Sequence, residues 1–145
     1  MRTVPAARRV LIDAGPIVAI FSKQDPYHQT CIETVRELTT PLYTCWPVIT
    51  EAAWLLKLSL PALERMLSLV DGSLMAILPL TGSEARSIAT LMRRYENLGL
   101  QLADATLMYL ADRDAIETVF TMDRRDFSVF RTRAGRALRL IPQIE

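Results

Sequence analysis

The sequence predicts a single α/β domain, a three-layer α/β/α sandwich around a central, mostly parallel sheet of four to five short strands. Three observations predict it. Apolar runs of about four residues recur along the chain, longer helical segments separate them, and the eight prolines fall at the joints instead of clustering. Half of the 145 residues are hydrophobic. A chain of this length can bury about 68–70% of its unfolded surface, so one core forms without disulfides or a structural metal. The domain is expected to span residues 1–145.

The elements follow in order. Val10-Leu11-Ile12 is a short buried-strand run ending at Asp13, after which Gly15-Pro16 turns the chain into an apolar helix, roughly 17–21. Asp25-Pro26 has the cap-then-proline pattern of a helix start, and that helix is expected to reach about Leu38. Leu42 to Cys45 is the second strand. Pro47 fits the first turn of a helix reaching Lys57, and Leu60-Pro61 starts another that stops near Asp71-Gly72. Met75 to Leu78 is the third strand. Thr81-Gly82-Ser83-Glu84 caps a helix expected to end near Asn97-Leu98-Gly99, and Leu102 to Asp112 is a mostly apolar helix. Thr118 to Thr121 and Leu138 to Ile141 complete the sheet.

The charge balance is near zero, with 17 basic against 16 acidic side chains and a net charge of +1. Taken alone, that argues weakly against a nucleic-acid substrate. Cys31 and Cys45 lack C-x-x-C spacing and His28 is the one histidine, which excludes the zinc patterns that need several such ligands. Any metal must therefore be held by carboxylates. Arg2, Arg8 and Arg9 precede an apolar run as in a secretory signal, but Asp13 and Pro16 interrupt that run and no small-residue cleavage site follows. No stretch reaches the ~18 apolar residues of a membrane span. The expected location is cytoplasmic, with both cysteines free thiols.

In open α/β sheets ligands bind beyond the carboxyl ends of the strands, at a topological switch point. Four acids stand there or on nearby apolar helix faces. Asp13 closes the first strand, Glu51 follows the second, Asp104 opens the apolar helix, and Asp123 follows the fourth strand. At 100° per residue Glu51 shares its face with Pro47, Trp54, Leu55 and Leu58, and Asp104 lies beside Leu107, Met108 and Ala111. Taken singly, Asp104 also suits a helix's first turn, Asp123 a cap and Asp13 a turn. Glu51 needs neither cap nor turn, and the coincidence of four is what points to a site.

Burying ionised carboxylates without partners is very costly, and those segments hold too few basic residues to neutralise all four. A divalent cation resolves the conflict. Mg²⁺ and Mn²⁺ take oxygen ligands, and four converging carboxylates suit one or two such ions. The chemistry expected there is phosphodiester hydrolysis, with a carboxylate left unbound orienting or deprotonating the attacking water.

The ordered segments Val10-Leu11-Ile12-Asp13-Ala14-Gly15-Pro16-Ile17-Val18-Ala19, Thr50-Glu51, Leu102-Ala103-Asp104-Ala105 and Thr121-Met122-Asp123-Arg124-Arg125-Asp126-Phe127 resemble those of the PIN-domain ribonucleases, in particular VapC-type toxins. The resemblance covers essentially the whole chain. It implies a PIN-like sandwich, Mg²⁺- or Mn²⁺-dependent endoribonuclease activity, dimerisation and inhibition by a small cognate antitoxin. Asp13, Glu51, Asp104 and Asp123 match the family's acidic quartet, with Asp13 and Asp104 as direct ligands, and Asp126 matches a further acid. Many members carry Thr or Ser after the first acid where this chain has Ala14-Gly15; Thr121 is the candidate to supply a hydroxyl from behind the ligands instead.

Fifteen of the basic residues are Arg, and six of them (Arg124, Arg125, Arg131, Arg133, Arg136 and Arg139) fall within 16 residues, opposed only by Asp126. Arg forks suit paired phosphate oxygens, and Arg124 and Arg125 beside the acids are the expected RNA-binding pair. A solvated Arg-rich surface is the alternative for Arg131 to Arg139. His28 reads as a cap or surface residue, and Trp46 and Trp54 as core or dimer interface. The 55–69 region is expected to offer an outer face to a second subunit or an antitoxin helix. Rival functions are a non-catalytic RNA-binding or scaffold domain and a DNA nuclease with the same acids; the lack of G-x-G-x-x-G excludes a dinucleotide-binding reading.

Overall fold

The computed structural model describes residues 8–143; Arg2, named above, and the outermost residues of the expected domain lie outside that range. Five strands, β1 (Val10–Ile12), β2 (Leu42–Thr44), β3 (Met75–Ile77), β4 (Thr118–Phe120) and β5 (Arg139–Ile141), form one sheet in the order β3-β2-β1-β4-β5. Every pairing is parallel, with Leu11 opposite both Tyr43 and Val119, and Val119 opposite Leu140. Among the described residues the sheet is thus wholly parallel with five strands, where the sequence predicts a mostly parallel sheet of four to five.

Burial explains which strands are central. Every residue of β1 and β4 is buried, which is why those two read as uninterrupted apolar runs, whereas β3 and β5 at the edges carry half-buried or exposed positions. Leu11, Ile12, Val119 and Phe120 anchor a core that extends through Ile17, Met66, Leu107, Met108, Leu110 and Phe127, all at most 1% exposed.

The chain leaves β1 for β2 and β3 in one direction, then reverses to reach β4 and β5 on the other side of β1. Right-handed crossovers therefore send α1 (Ala14–Phe21), α2 (His28–Arg36), α3 (Trp46–Leu55) and α4 (Leu60–Asp71) to one face. The same rule sends α5 (Ala85–Arg94), α6 (Leu102–Arg113) and α7 (Arg124–Val129) to the other. The contacts agree: α1 packs on α2, α3 and α4, and α5 packs on α6. The two groups meet where α3 packs on α6. The reversal makes the gap between β1 and β4 the switch point.

Local chemistry sets the helix starts. Asp13 caps α1 through its own carboxylate, which accepts from Ala14 N at 2.8 Å, so the helix begins at Ala14 and not beyond Pro16 as expected. Ser59 caps α4, accepting from Ala62 N, and Pro61 sits in its first turn. Thr81 and Glu84 form a reciprocal capping box ahead of α5.

Three expectations need correction. Asp25 does not cap a helix at Pro26; its Oδ1 accepts from Tyr27 N at 2.8 Å in a tight local turn, and α2 starts at His28. The helix expected to run to Gly99 ends at Arg94, where a short 3₁₀ turn (Glu96–Leu98) takes over and closes on Gly99 at φ 62°, a left-handed conformation suited to glycine. Trp46 and Trp54 are not core: they are 55% and 66% exposed, because α3 turns Val48, Ile49 and Ala52 inward instead. No helix among the described residues is long and apolar enough to cross a membrane.

Candidate metal centre

The switch point holds a cleft of about 450 Å³ whose lining includes Asp13, Glu51, Asp104, Asp123 and Asp126, with Gly15, Gly99, Gln101 and Met122 between them. All four acids picked from the sequence meet here, and so does Asp126. No Lys or Arg lines the cleft.

Each acid arrives by a different route. Asp13 leaves the central strand β1 and is 5% exposed. Its Oδ1 caps α1, while Oδ2 accepts from Thr121 Oγ1 at 2.8 Å. Thr121, fully buried directly after β4, also accepts from Asp123 N at 3.0 Å, so one hydroxyl fixes the ends of both central strands relative to each other. Thr44 adds a second tie, its Oγ1 donating to Ile12 O at 3.0 Å. Glu51 is brought in by the packing of α3 on α6, one turn beyond the buried Val48 and beside the buried Ala52. Its expected apolar stripe is not covered: α3 ends at Leu55, and Leu55 and Leu58 are open to solvent. Asp104 stands in the first turn of α6, above Leu107 and Met108, which are fully buried. Asp123 caps α7, accepting weakly from Asp126 N at 3.4 Å.

The carboxylates form two trios. One oxygen from each of Asp13, Glu51 and Asp104 lies within 4.8 Å of the others, and the same holds for Asp104, Asp123 and Asp126. Asp104 belongs to both. Electrostatics record the crowding: burial pushes the Asp104 carboxyl up to about 7, helped by the charges of Asp13, Glu51, Asp123 and Asp126. Burial likewise pushes Asp13 up to about 6, against the Ala14 N–H and Thr121 hydroxyl bonds that favour the charge. Glu51 is raised as well, by burial first and then by Asp123.

Whether these residues fit a divalent cation is decided by the donor set. Every donor is a hard carboxylate oxygen, the groups repel one another, Asp126 Oδ1 is buried without a hydrogen-bond partner, and among the described residues no Lys or Arg lines the cleft, the exposed Arg125 approaching only Asp126, at 3.9 Å. A hard divalent ion such as Mg²⁺ or Mn²⁺ satisfies all four conditions. Asp13, Glu51 and Asp104 would hold one ion, and Asp104, Asp123 and Asp126 a second. Asp126, expected from the sequence as a further acid, lies in the second trio.

The arginines are placed differently. Arg125 is exposed, with Nε 3.9 Å from Asp126 Oδ1. Arg124 turns partly inward, leaving Nε and Nη2 buried without partners, and neither side chain lines the acidic cleft. His28 does not line the acidic cleft and donates from Nδ1 to Ala19 O at 2.6 Å. Gln101 and Gly99, which shape the rim, carried no signal in the sequence because neither bears a charge.

The family model for the PIN domain matches residues 10–132. The chain belongs to the PIN domain family. Ribonuclease VapC26 of Mycobacterium tuberculosis (strain ATCC 25618 / H37Rv) is 26% identical over 135 residues, 92% of this chain and 100% of that protein. The crystal structure of the Mycobacterium tuberculosis toxin VapC20, described as cleaving the sarcin-ricin loop, shares the fold with a TM-score of 0.73 at 14% identity, covering 80% of this chain and 91% of that one. The resemblance to VapC-type PIN ribonucleases read from the four motifs therefore holds.

Replacing Thr121 with Val is expected to weaken Mn²⁺ binding roughly 10–100-fold, since groups that orient a ligand from behind contribute on that scale. Titration calorimetry measures it. Unchanged affinity would remove Thr121 from the site.

Proposed function

We propose that this protein is a metal-dependent endoribonuclease that hydrolyses RNA phosphodiester bonds, the toxin of a type II toxin–antitoxin pair. The observation that carries the reading is the pair of carboxylate trios sharing Asp104 at the switch point of a PIN domain. In the reaction a water oxygen attacks phosphorus and one P–O ester bond breaks, leaving a phosphate monoester and a hydroxyl. A bound Mg²⁺ or Mn²⁺ supplies a lowered pKa for the attacking water and neutralises charge on the leaving oxygen. Asp13, Glu51, Asp104 and Asp123 hold the ions, Asp126 completes the second trio, and a carboxylate oxygen left free takes the proton of the water. Thr121 positions Asp13 and the backbone of Asp123. The exposed Arg125 and the outward part of Arg124 steer the RNA phosphates toward the cleft.

The partner readings draw on exposed apolar surface. Trp46, Trp54, Leu55, Leu58, Leu60 and Leu67 are all at least 45% exposed, and such a surface supports both a second copy of the chain and a cognate antitoxin segment. Two buried free thiols, Cys31 and Cys45, support a reducing, cytoplasmic setting.

Cleavage of RNA by purified protein, with Mg²⁺ or Mn²⁺ and with EDTA, tests the reading. Metal-dependent cleavage that disappears in Asp13→Ala and Asp104→Ala is the expected result. Wild-type rates in both variants would sink the assignment, and RNA binding without cleavage under any metal would favour a non-catalytic domain.

A further inference from the structure

A second cleft lies on the face formed by α5, α6 and the segment after α7, with a volume of about 360 Å³. Its chemistry is the reverse of the acidic one. Arg94, Arg113, Arg131 and Arg133 line it, with Asp112 the one acid, and its apolar wall comes from Leu91, Tyr95, Tyr109 and Phe130.

Two of these cations are already matched. Arg113 is bound to Glu84 at 2.8 Å and Asp114 at 2.9 Å, and Arg133 lies 3.5 Å from Asp112. The other two face no carboxylate. Arg131 Nη1 donates to the carbonyls of Ser128 and Phe130, and Arg94 lies over the Tyr95 ring at 5.8 Å. The aromatic wall is held in place: Tyr95 OH accepts from Arg131 N at 3.1 Å, and the Tyr95 and Phe130 rings pack 5.8 Å apart. Fixed rings beside unneutralised guanidinium groups suit a ligand that is flat and apolar at one end and anionic at the other.

The two clefts are built on the same segments. Asp104 lines the acidic cleft and Tyr109 the second, both on α6; Asp126 lines the first and Phe130 the second, at the two ends of α7; Gly99 and Tyr95 flank one 3₁₀ turn. At 1.5 Å and 100° per helical residue, Asp104 and Tyr109 are offset by about 7.5 Å along the axis and about 140° around it. The 3₁₀ turn between Tyr95 and Gly99 and the segment from Asp126 to Phe130 each carry residues of both clefts and so connect them around α6.

We propose that this arginine–aromatic cleft binds a nucleotide of single-stranded RNA flanking the scissile phosphate, with its phosphate on Arg94 and Arg131 and its base against the tyrosine rings. The inference rests on the endoribonuclease reading and adds to it a place where the strand is gripped. Stacking on aromatic side chains and phosphate pairing to arginine are sequence-tolerant, so the cleft contributes affinity and register more than base choice.

The test uses the full chain and a fluorescein-labelled single-stranded RNA of mixed sequence, followed by anisotropy in EDTA so that cleavage is off. Among the described residues the Arg94 side chain makes no hydrogen bond or ion pair, and melting curves check that its variants fold. Arg94→Glu is expected to weaken binding about tenfold or more and to lower the slope of log affinity against log salt by about 0.7, the value for one single-strand phosphate contact. Its KM for Mn²⁺-dependent cleavage should rise in parallel, and Arg94→Lys should retain part of the affinity. Unchanged affinity and salt slope in Arg94→Glu would overturn the proposal while leaving metal-dependent cleavage standing. Loss of a protein partner's binding with RNA affinity intact would overturn it too, assigning the cleft to protein. RNA gripped through Arg94 by a protein that cleaves nothing would support the cleft and fail the endoribonuclease reading.

Discussion

Asp13→Asn is expected to abolish cleavage and, in the absence of metal, to make the protein more stable at pH 7.5. Both effects come from one buried carboxylate. Burial raises its pKa from 3.8 to about 6, so keeping it ionised at pH 7.5 costs on the order of 3 kcal/mol in the metal-free fold. Asparagine removes the charge but keeps an oxygen to accept from Ala14 N, so the cap on α1 survives. For a chain of this length the gain corresponds to roughly 5–10 °C in Tm. The same change deletes a carboxylate proposed to hold the metal, and losing several kcal/mol of transition-state stabilisation lowers the rate on the order of 10³-fold. Melts in EDTA and in Mn²⁺, beside a cleavage assay, check both. A variant that melts lower than wild type in EDTA yet keeps its Mn²⁺-induced shift would contradict the site.

The metal-free wild-type protein should lose stability as pH rises from 5 to 8, and Mn²⁺ should reverse the trend. Asp13 and Asp104 titrate near 6 and 7 in the fold and near 3.8 when unfolded. A carboxyl whose folded pKa is raised contributes stability that is fully present below its unfolded pKa and lost as pH climbs through the folded one. The loss therefore falls between pH 4 and about 7. Glu84, held down to about 2 by Tyr109 and Arg113, acts with opposite sign but only below its ordinary value of 4.5, outside this window. A cation binds the deprotonated trios and releases their protons, so its stabilisation grows with pH, reaching about 2.7 kcal/mol at a hundredfold excess over Kd. Tm measured across pH 5–8 with EDTA and with Mn²⁺ should give curves that diverge; parallel curves would refute the carboxylate site.

Much of the molecule was legible because its signals are local and apolar. The central strands β1 and β4 read as unbroken hydrophobic runs since both their faces are covered, and each run ends on an acid or a hydroxyl that a buried position has no packing reason to hold. Asp13 and Asp123 could be named from those strand ends, and Glu51 and Asp104 from the apolar helix faces on which they sit. What escaped depended on partners distant in the chain. The six-residue α7 is too short to show a helical period, so Asp126 could not be aimed at Asp104. Asp25-Pro26 satisfies the pattern of a helix cap as well as that of the turn it adopts. The tryptophans of α3 read as core or dimer interface, and only the packing of Val48, Ile49 and Ala52 shows which side of that helix the core covers. Arg124 and Arg125 are neighbours in sequence and opposite in exposure, a difference set by where α7 lies against β5.

The reversal of chain direction after β3 has a consequence in time. Asp13 and Glu51 belong to the half of the chain made first, Asp104, Asp123 and Asp126 to the half made last. β1 reaches its β4 neighbour only when residue 120 has emerged, and the hydroxyl that holds Asp13 in place comes one residue later. A nascent chain on the ribosome therefore carries no assembled centre until its final stretch is synthesised. Synthesis itself acts as a delay, since the two halves of the acidic cleft are tied together only once Thr121 is in place.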